Sequence, residues 1–132
     1  MIVLHVSAEC YPMAKAGGLG DVVGALPKYQ KKMGDESMVV MPMYDTPFLK
    51  SNSWDTIFKG KMNLGDWHFE YTIIKEQTGK LGYSLFLVDI NGLLDRPKIY
   101  GYDDDISRFS FSSFSFKLAI SLDCFARCFA LS

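Results

Sequence analysis

Apolar residues in this chain come in short, dense runs separated by stretches rich in glycine, proline and serine, and three of the runs have the make-up of strands. Met1-Ile2-Val3-Leu4-His5-Val6 and Glu36-Ser37-Met38-Val39-Val40-Met41-Pro42 follow the pattern of strands buried on both faces, and Gly82-Tyr83-Ser84-Leu85-Phe86-Leu87-Val88 is a third, ending at Asp89. Between the first two, Leu19, Val22, Val23, Leu26, Gln30 and Met33 recur at steps of three and four. That period predicts a helix with Gly34 as its C′ stop, kinked or shortened at Pro27, which removes one backbone donor. The order strand, helix, strand predicts a right-handed βαβ unit and a parallel sheet. Residues 57–63 and 67–75 flank Leu64-Gly65-Asp66 and predict a β-hairpin with Trp67, Phe69, Tyr71 and Ile73 on one face and His68 on the other. Residues 44–54 have loop chemistry and are expected at the surface, and Gln77-Thr78-Gly79-Lys80 reads as a turn.

Composition narrows the functional classes. A chain of 132 residues is one domain at most, and 48% hydrophobic residues with a net charge of -1 and dispersed charges describe a globular protein with no basic stripe for nucleic acid. No apolar run approaches a membrane span, and the amino terminus lacks the basic region and cleavage site of a signal peptide, so no membrane partner and a cytoplasmic location are expected. Three cysteines are an odd, sparse set rather than a disulfide framework. Cys124 and Cys128 stand one helical turn apart, but no histidine lies near them, so buried thiols rather than a metal site are expected. Asp103-Asp104-Asp105 cannot converge easily on one ion and reads as solvated loop plus a cap for a following helix.

The candidate chemistry lies in Lys15-Ala16-Gly17-Gly18-Leu19-Gly20-Asp21-Val22, wedged between the first strand and the first helix. A helix N-terminus offers unpaired N–H groups and partial positive charge, and glycines let a bulky anion approach the backbone. Lys15 adds a mobile ammonium. The same glycines would also serve a turn that only packs strand against helix. No P-loop Lys-Ser or Lys-Thr follows them, and Gly18, Gly20 and Gly24 give only G-x-G-x-x-x-G, a loose dinucleotide match.

His5-Val6-Ser7-Ala8-Glu9-Cys10-Tyr11-Pro12, followed by Lys15-Ala16-Gly17-Gly18-Leu19-Gly20-Asp21-Val22 and Gly24-Ala25-Leu26-Pro27-Lys28, resembles the amino terminus of bacterial glycogen synthases and plant starch synthases. Tyr100-Gly101 and Asp105-Ile106-Ser107-Arg108-Phe109 resemble a second, looser element of that family, with Asp-Ile where Asp-Asn is usual. The resemblance implies an α/β, Rossmann-like fold: the partial amino-terminal lobe of a GT-B glycosyltransferase, with a mostly parallel sheet and an inserted β-hairpin. It implies a retaining transfer of glucose from ADP-glucose or UDP-glucose to the non-reducing end of an α-1,4-glucan, without metal or other cofactor. Lys15 would pair with the sugar-nucleotide phosphates, Gly17 and Gly18 would offer N–H groups to the leaving diphosphate, and Glu9 and Asp21 would face glucan or glucose hydroxyls. Asp21 as a cap of the first helix is the competing assignment. His5 is expected to be structural. The catalytic residues are expected beyond the end of this chain, which alone would be inactive.

Residues 1–109 carry the resemblance. Residues 110–132 are dense in Phe and Ser and hold no Gly, Pro, Glu, Asn or Gln, which marks them as a divergent or frame-shifted apolar tail, or else a native apolar helix with Phe114, Leu118 and Leu122 in its stripe. Two other classes stay open: a non-catalytic glucan or sugar-nucleotide binding module, and a dinucleotide-binding domain. The latter wants an acidic residue after the second strand, where Met41-Pro42-Met43 stands.

Overall fold

The computed structural model describes residues 1–94 and 96–110. Their elements are β1 (Ile2–Val6), α1 (Gly18–Lys32), β2 (Glu36–Pro42), α2 (Pro47–Ser51), β3 (Trp54–Leu64), β4 (Trp67–Glu76) and β5 (Ser84–Ile90). A helical turn over 105–110 follows. The expectations for Phe114, Leu118, Leu122, Cys124 and Cys128 lie outside the described residues.

All five strands form one sheet in the order β1-β2-β5-β4-β3. β1 pairs with β2, and β2 with β5, in parallel, while β4 runs antiparallel to both β5 and β3. The α/β, Rossmann-like expectation therefore holds, and the hairpin is not a separate insertion: β4 pairs with β5, so the hairpin extends the parallel core into a mixed sheet. Its turn is Gly65-Asp66, with Gly65 at φ +59°, a conformation that glycine adopts without steric cost. Tyr71 and Ile73 are buried on the expected face and Phe69 packs against them; the side chain of Trp67 lies outside the described set. His68 is exposed on the other face, bonded to the Asn63 Oδ1.

Side-chain alternation divides the core between the two faces of the sheet. Val39, Met41, Leu85 and Leu87 join Cys10, Val23, Tyr44 and Tyr83 in one cluster, and Met38, Val40, Phe86, Val88 and Ile90 join Tyr71 and Ile73 in the other. Strands covered on both faces must be apolar at nearly every position, which is why β2 and β5 read as unbroken runs.

β1 reads the same way but is an edge strand, paired only with β2, and its Ile2 and Val6 are exposed among the described residues. The expectation of burial on both faces is corrected here: an apolar run specifies a strand, not its place in the sheet. A second correction concerns α1. The helix ends as predicted, with Gly34 at φ +96°, and runs through Pro27 without being shortened. Its buried residues, however, are Gly20, Val23, Gly24 and Pro27, while Leu19, Val22, Leu26 and Met33 face outward. A Cβ at Gly24 would lie 2.5 Å from the Tyr11 carbonyl oxygen, so close backbone approach, not bulk, selects the packed face.

Residues 44–54 are not merely surface loop. Tyr44 and Leu49 are buried, and the Trp54 indole donates to the Leu49 carbonyl at 3.0 Å. Cys10 is buried, as expected of a structural thiol, with its Sγ 3.2 Å from the Tyr83 hydroxyl. His5 Nε2 lies 2.7 Å from the Gln30 Oε1, which also accepts from the Ser37 hydroxyl at 2.8 Å, so His5 ties β1 to α1 and β2. In the predicted turn, the buried Glu76 carboxylate accepts from the N–H groups of Thr78 and Gly79 and from the Thr78 hydroxyl.

Candidate functional site

After β1 the chain is fixed by backbone bonds into a narrow loop. Cys10 and Ala14 exchange N–H···O bonds of 2.9 and 3.0 Å around a cis Tyr11–Pro12 peptide, and the Tyr11 N–H reaches the Gly20 carbonyl at 2.9 Å. This brings Glu9 beneath the glycine loop. Its Oε2 accepts from the N–H of Ala16 at 2.9 Å and of Gly17 at 3.0 Å, and the residue is only 4% exposed. Burial alone would raise the Glu9 carboxyl, but the N–H groups of Ala16 and Gly17, the Tyr100 hydroxyl and the Gly20 N–H outweigh it and hold it below its ordinary value.

The glycines divide into two kinds. Gly20 and Gly24 are packing positions: a Cβ at Gly20 would meet the Lys15 stem and the Glu9 Oε2 at 3.2 to 3.3 Å, and one at Gly24 would strike Tyr11. Beyond their chain neighbours, no atom of the described residues lies within 4 Å of such a Cβ at Gly17 or Gly18, and neither has a positive φ. Among the described residues, neither packing nor backbone conformation calls for glycine there. Gly18 is the first residue of α1, where an N–H has no intrahelical carbonyl to reach. Of the two N–H groups assigned to a leaving diphosphate, that of Gly17 is instead directed at Glu9.

Lys15 Nζ stands 2.7 Å from the Asp21 Oδ2, both side chains about half exposed, at the mouth of the loop. The cap of α1 is Gly17, with no side-chain cap bond, so Asp21 is not the cap; it lies in the first turn and faces Lys15. Glu9 likewise does not present its Oε2 to open space.

The second sequence element meets the first here. The Tyr100 hydroxyl is pushed up to about 12, foremost by burial and then by its interaction with Glu9 and the charge of Asp105. Asp105 accepts from the N–H groups of Gly101 at 2.7 Å and Tyr102 at 3.3 Å, and pairs with Arg108 at 2.6 Å. Arg108 is fully buried, donates to the carbonyls of Leu93 and Ile99, and lies over the Tyr102 ring. Arg96 covers the same ring and holds Asp104 by two bonds, of 2.6 and 2.8 Å. Asp104 and Asp105 of the aspartate run are thus engaged by arginines, and no cluster of metal-ligating type occurs among the described residues. Tyr44, whose hydroxyl donates to the Ala8 carbonyl at 2.8 Å, completes the polar group; burial foremost raises its phenol.

Sequence reasoning singled out Glu9, Lys15, Gly17, Gly18 and Asp21, and the fold brings all five together. It assigned no role to Tyr100, although Tyr100-Gly101 opened the second matched element, and it placed Tyr44 in a surface loop.

The family model for the starch synthase catalytic domain matches residues 2–124. A glycogen synthase of Flavobacterium johnsoniae is 52% identical over 120 residues, which are 91% of this chain and 24% of that protein. A glycogen synthase of Streptococcus pneumoniae is 38% identical over 112 residues, 84% of this chain and 23% of that protein. The chain thus spans about a quarter of the length of the curated relatives it matches. Among solved structures, the catalytic domain of starch synthase IV from Arabidopsis thaliana, bound to ADP and acarbose, is similar with a TM-score of 0.77 and 25% identity, over 91% of this chain and 25% of that one. With its motifs, its sheet and the model match in agreement, the chain belongs to the starch synthase catalytic domain family.

Proposed function

We propose that this chain is the amino-terminal part of a retaining glucosyltransferase that moves glucose from ADP-glucose, or UDP-glucose, to the non-reducing end of an α-1,4-glucan. The observation that carries this is the open space at Gly17 and Gly18, beside Lys15 and at the start of α1. Two glycines that the chain's own packing does not require leave room for a group from outside, and the helix start and the ammonium select an anion.

In this reading Lys15 leaves Asp21 to pair with the donor diphosphate, and the Gly18 N–H points at the charge that grows on the leaving group, where a fixed dipole acts without reorganisation. Gly17 contributes by its lack of a side chain. Glu9 acts mainly by position, holding residues 16 and 17 and the Tyr100 hydroxyl in one arrangement. Asp21 keeps Lys15 at the mouth until an anion competes for it. The chemistry takes place against groups supplied by a second lobe, because the carboxylates at the loop are engaged, Glu9 by the N–H groups of Ala16 and Gly17 and Asp21 by Lys15. No described helix is long and apolar enough to cross a membrane.

The test is glucose incorporation into glycogen. The 132-residue chain is expected to give none, since the reacting groups assemble only when two lobes close. A full-length polypeptide carrying this amino terminus is expected to incorporate glucose in a Lys15-dependent manner. Incorporation by the short chain, or full activity of Lys15→Ala in the long one, overturns the proposal.

A further inference from the structure

At the end of the sheet opposite the glycine loop, where α1 ends and β5 begins, lies a concavity of about 600 Å³ lined by Lys31, Asp55, Lys75, Gln77, Tyr83 and Ser84 among others. It exists because β5 starts inside its neighbours. Ser84 pairs with Met38, the third residue of β2, and Phe86 pairs with Lys75, the last but one of β4. None of the lining residues has a part in the donor site described above. We infer that this notch binds a small phosphorylated sugar, with its phosphate met by Lys31 and Lys75 and its hydroxyls by Asp55, Gln77 and Ser84. The inference goes beyond the transferase reading and does not depend on it.

The charges decide the class of ligand. Asp55 stands directly across from Lys75 in the register of the hairpin, a position from which opposite charges ordinarily pair. Here they do not. Asp55 Oδ2 accepts from the Gln77 amide, while Lys75 Nζ lies 5.8 Å from the centre of the Phe86 ring and forms no ion pair among the described residues. Lys31 reaches Glu36 at 3.4 Å through a partly exposed pair, an arrangement that contributes little and yields to a dianion. Glu76, the other carboxylate of the lining, is buried, and its two oxygens accept from the N–H groups of Thr78 and Gly79. Two half-buried ammonium groups without strong partners thus share one concavity, and each can meet a phosphate as a point charge. Around them the lining is polar, and its volume is that of a small-molecule site. Gly79, at φ +66°, turns the chain without filling the space: a Cβ there would meet nothing within 4 Å. A glucan chain would want exposed ring faces, whereas Tyr83, the one aromatic among the described lining residues, is buried with its hydroxyl on Cys10 Sγ.

The experiment is isothermal titration calorimetry of the full 132-residue chain at low ionic strength, with glucose 6-phosphate, inorganic phosphate and glucose as probes. Glucose 6-phosphate is expected to bind, phosphate to bind more weakly, and glucose not to bind. Lys75→Gln and Lys31→Gln are each expected to weaken glucose 6-phosphate binding about tenfold, the scale of one lost charge-assisted contact, with the melting temperature unchanged. Should Lys75→Gln lose its fold along with its contact to Phe86, Lys31→Gln decides alone. Lys15→Ala is expected to bind as wild type does, which separates this notch from the glycine loop and makes the result independent of glucose incorporation. The site is overturned if wild type does not bind glucose 6-phosphate, if both glutamine variants bind it as wild type does, if glucose or phosphate binds as tightly, or if Lys15→Ala abolishes binding.

Discussion

The Glu9 carboxylate and the Tyr100 hydroxyl act on each other across two distant parts of the chain, one following the first described strand and the other following the last. Through that interaction the glycine loop and residues 96–105 are electrostatically linked. Both groups titrate away from their ordinary values, in directions that set the pH limits of that link. Glu9 is lowered from 4.5, so its contribution to stability is complete above 4.5 and is lost as pH falls through the lowered value. Tyr100 is raised from 10.0 to about 12, so its contribution is complete below 10.0 and is lost as pH rises through about 12. Thermal unfolding followed across pH is expected to show a plateau between these limits. Glu9→Gln should flatten the acid limb and Tyr100→Phe part of the alkaline one; limbs unchanged in both variants would contradict the assignment.

Glu9→Gln should also cost stability near neutral pH, about 2 kcal/mol, since an amide in place of the carboxylate cannot accept from all the donors gathered there. Chemical denaturation at fixed pH measures it. No change in the midpoint would mean that the loop holds its shape without the charge.

Lys15→Ala in a full-length enzyme with this amino terminus removes one charged contact to the donor, worth about 1.5 to 3 kcal/mol. At 1.36 kcal/mol per decade this is a fall of roughly one to two orders of magnitude in kcat/KM for the sugar nucleotide. Melting temperature should barely move, because an exposed pair such as Lys15 with Asp21 contributes little to stability.

Gly18→Ala and Gly24→Ala should part company. At Gly24 the new methyl group meets a backbone oxygen and should destabilise the chain by about 1 to 3 kcal/mol. At Gly18 it meets no protein atom, and stability should be unchanged or improve by up to about 1 kcal/mol, while donor use falls. Paired melting and kinetic measurements check this; loss of stability at Gly18 would return the loop to a packing turn.

The isolated chain is expected to self-associate. Among the described residues β1 offers an unpaired edge, with Ile2 and Val6 exposed, and α1 turns Leu19, Val22, Tyr29 and Met33 outward. Sedimentation velocity over a concentration series should show dimers or larger species. A monodisperse monomer with a cooperative melt would point to a self-sufficient small domain.

Strand order along the chain, the hairpin turn at Gly65 and the end of α1 at Gly34 were all legible in the sequence, because each depends on local chemistry. The faces were not. The apolar period of Leu19, Val22, Leu26 and Met33 located the helix correctly but pointed to the side away from the core, since the packed side is made of glycines that a hydrophobic count passes over. β1 and β2 both read as short apolar runs, and only long-range pairing makes one an edge and the other central. For the site, the residues around the glycines could be named from their motif. Which N–H each would hold could not: the turn of Glu9 onto Ala16 and Gly17 is a matter of loop geometry, and its interaction with Tyr100 depends on where the chain returns after β5.

Tyr102 lies under two guanidinium groups, those of Arg96 and Arg108, whose aspartate partners are Asp104 and Asp105. All of these contacts, and the bonds from Arg108 to the Leu93 and Ile99 carbonyls, join residues no more than 15 apart in sequence. Closing such short loops costs little chain entropy compared with pairing distant strands. The segment that carries Tyr100 can therefore take shape from its own neighbours, before the sheet is complete, and Tyr100 comes to act on Glu9 when that finished block docks. Protection of the Gly101 amide against hydrogen exchange would then report the block alone, and protection at Gly17 the docked molecule.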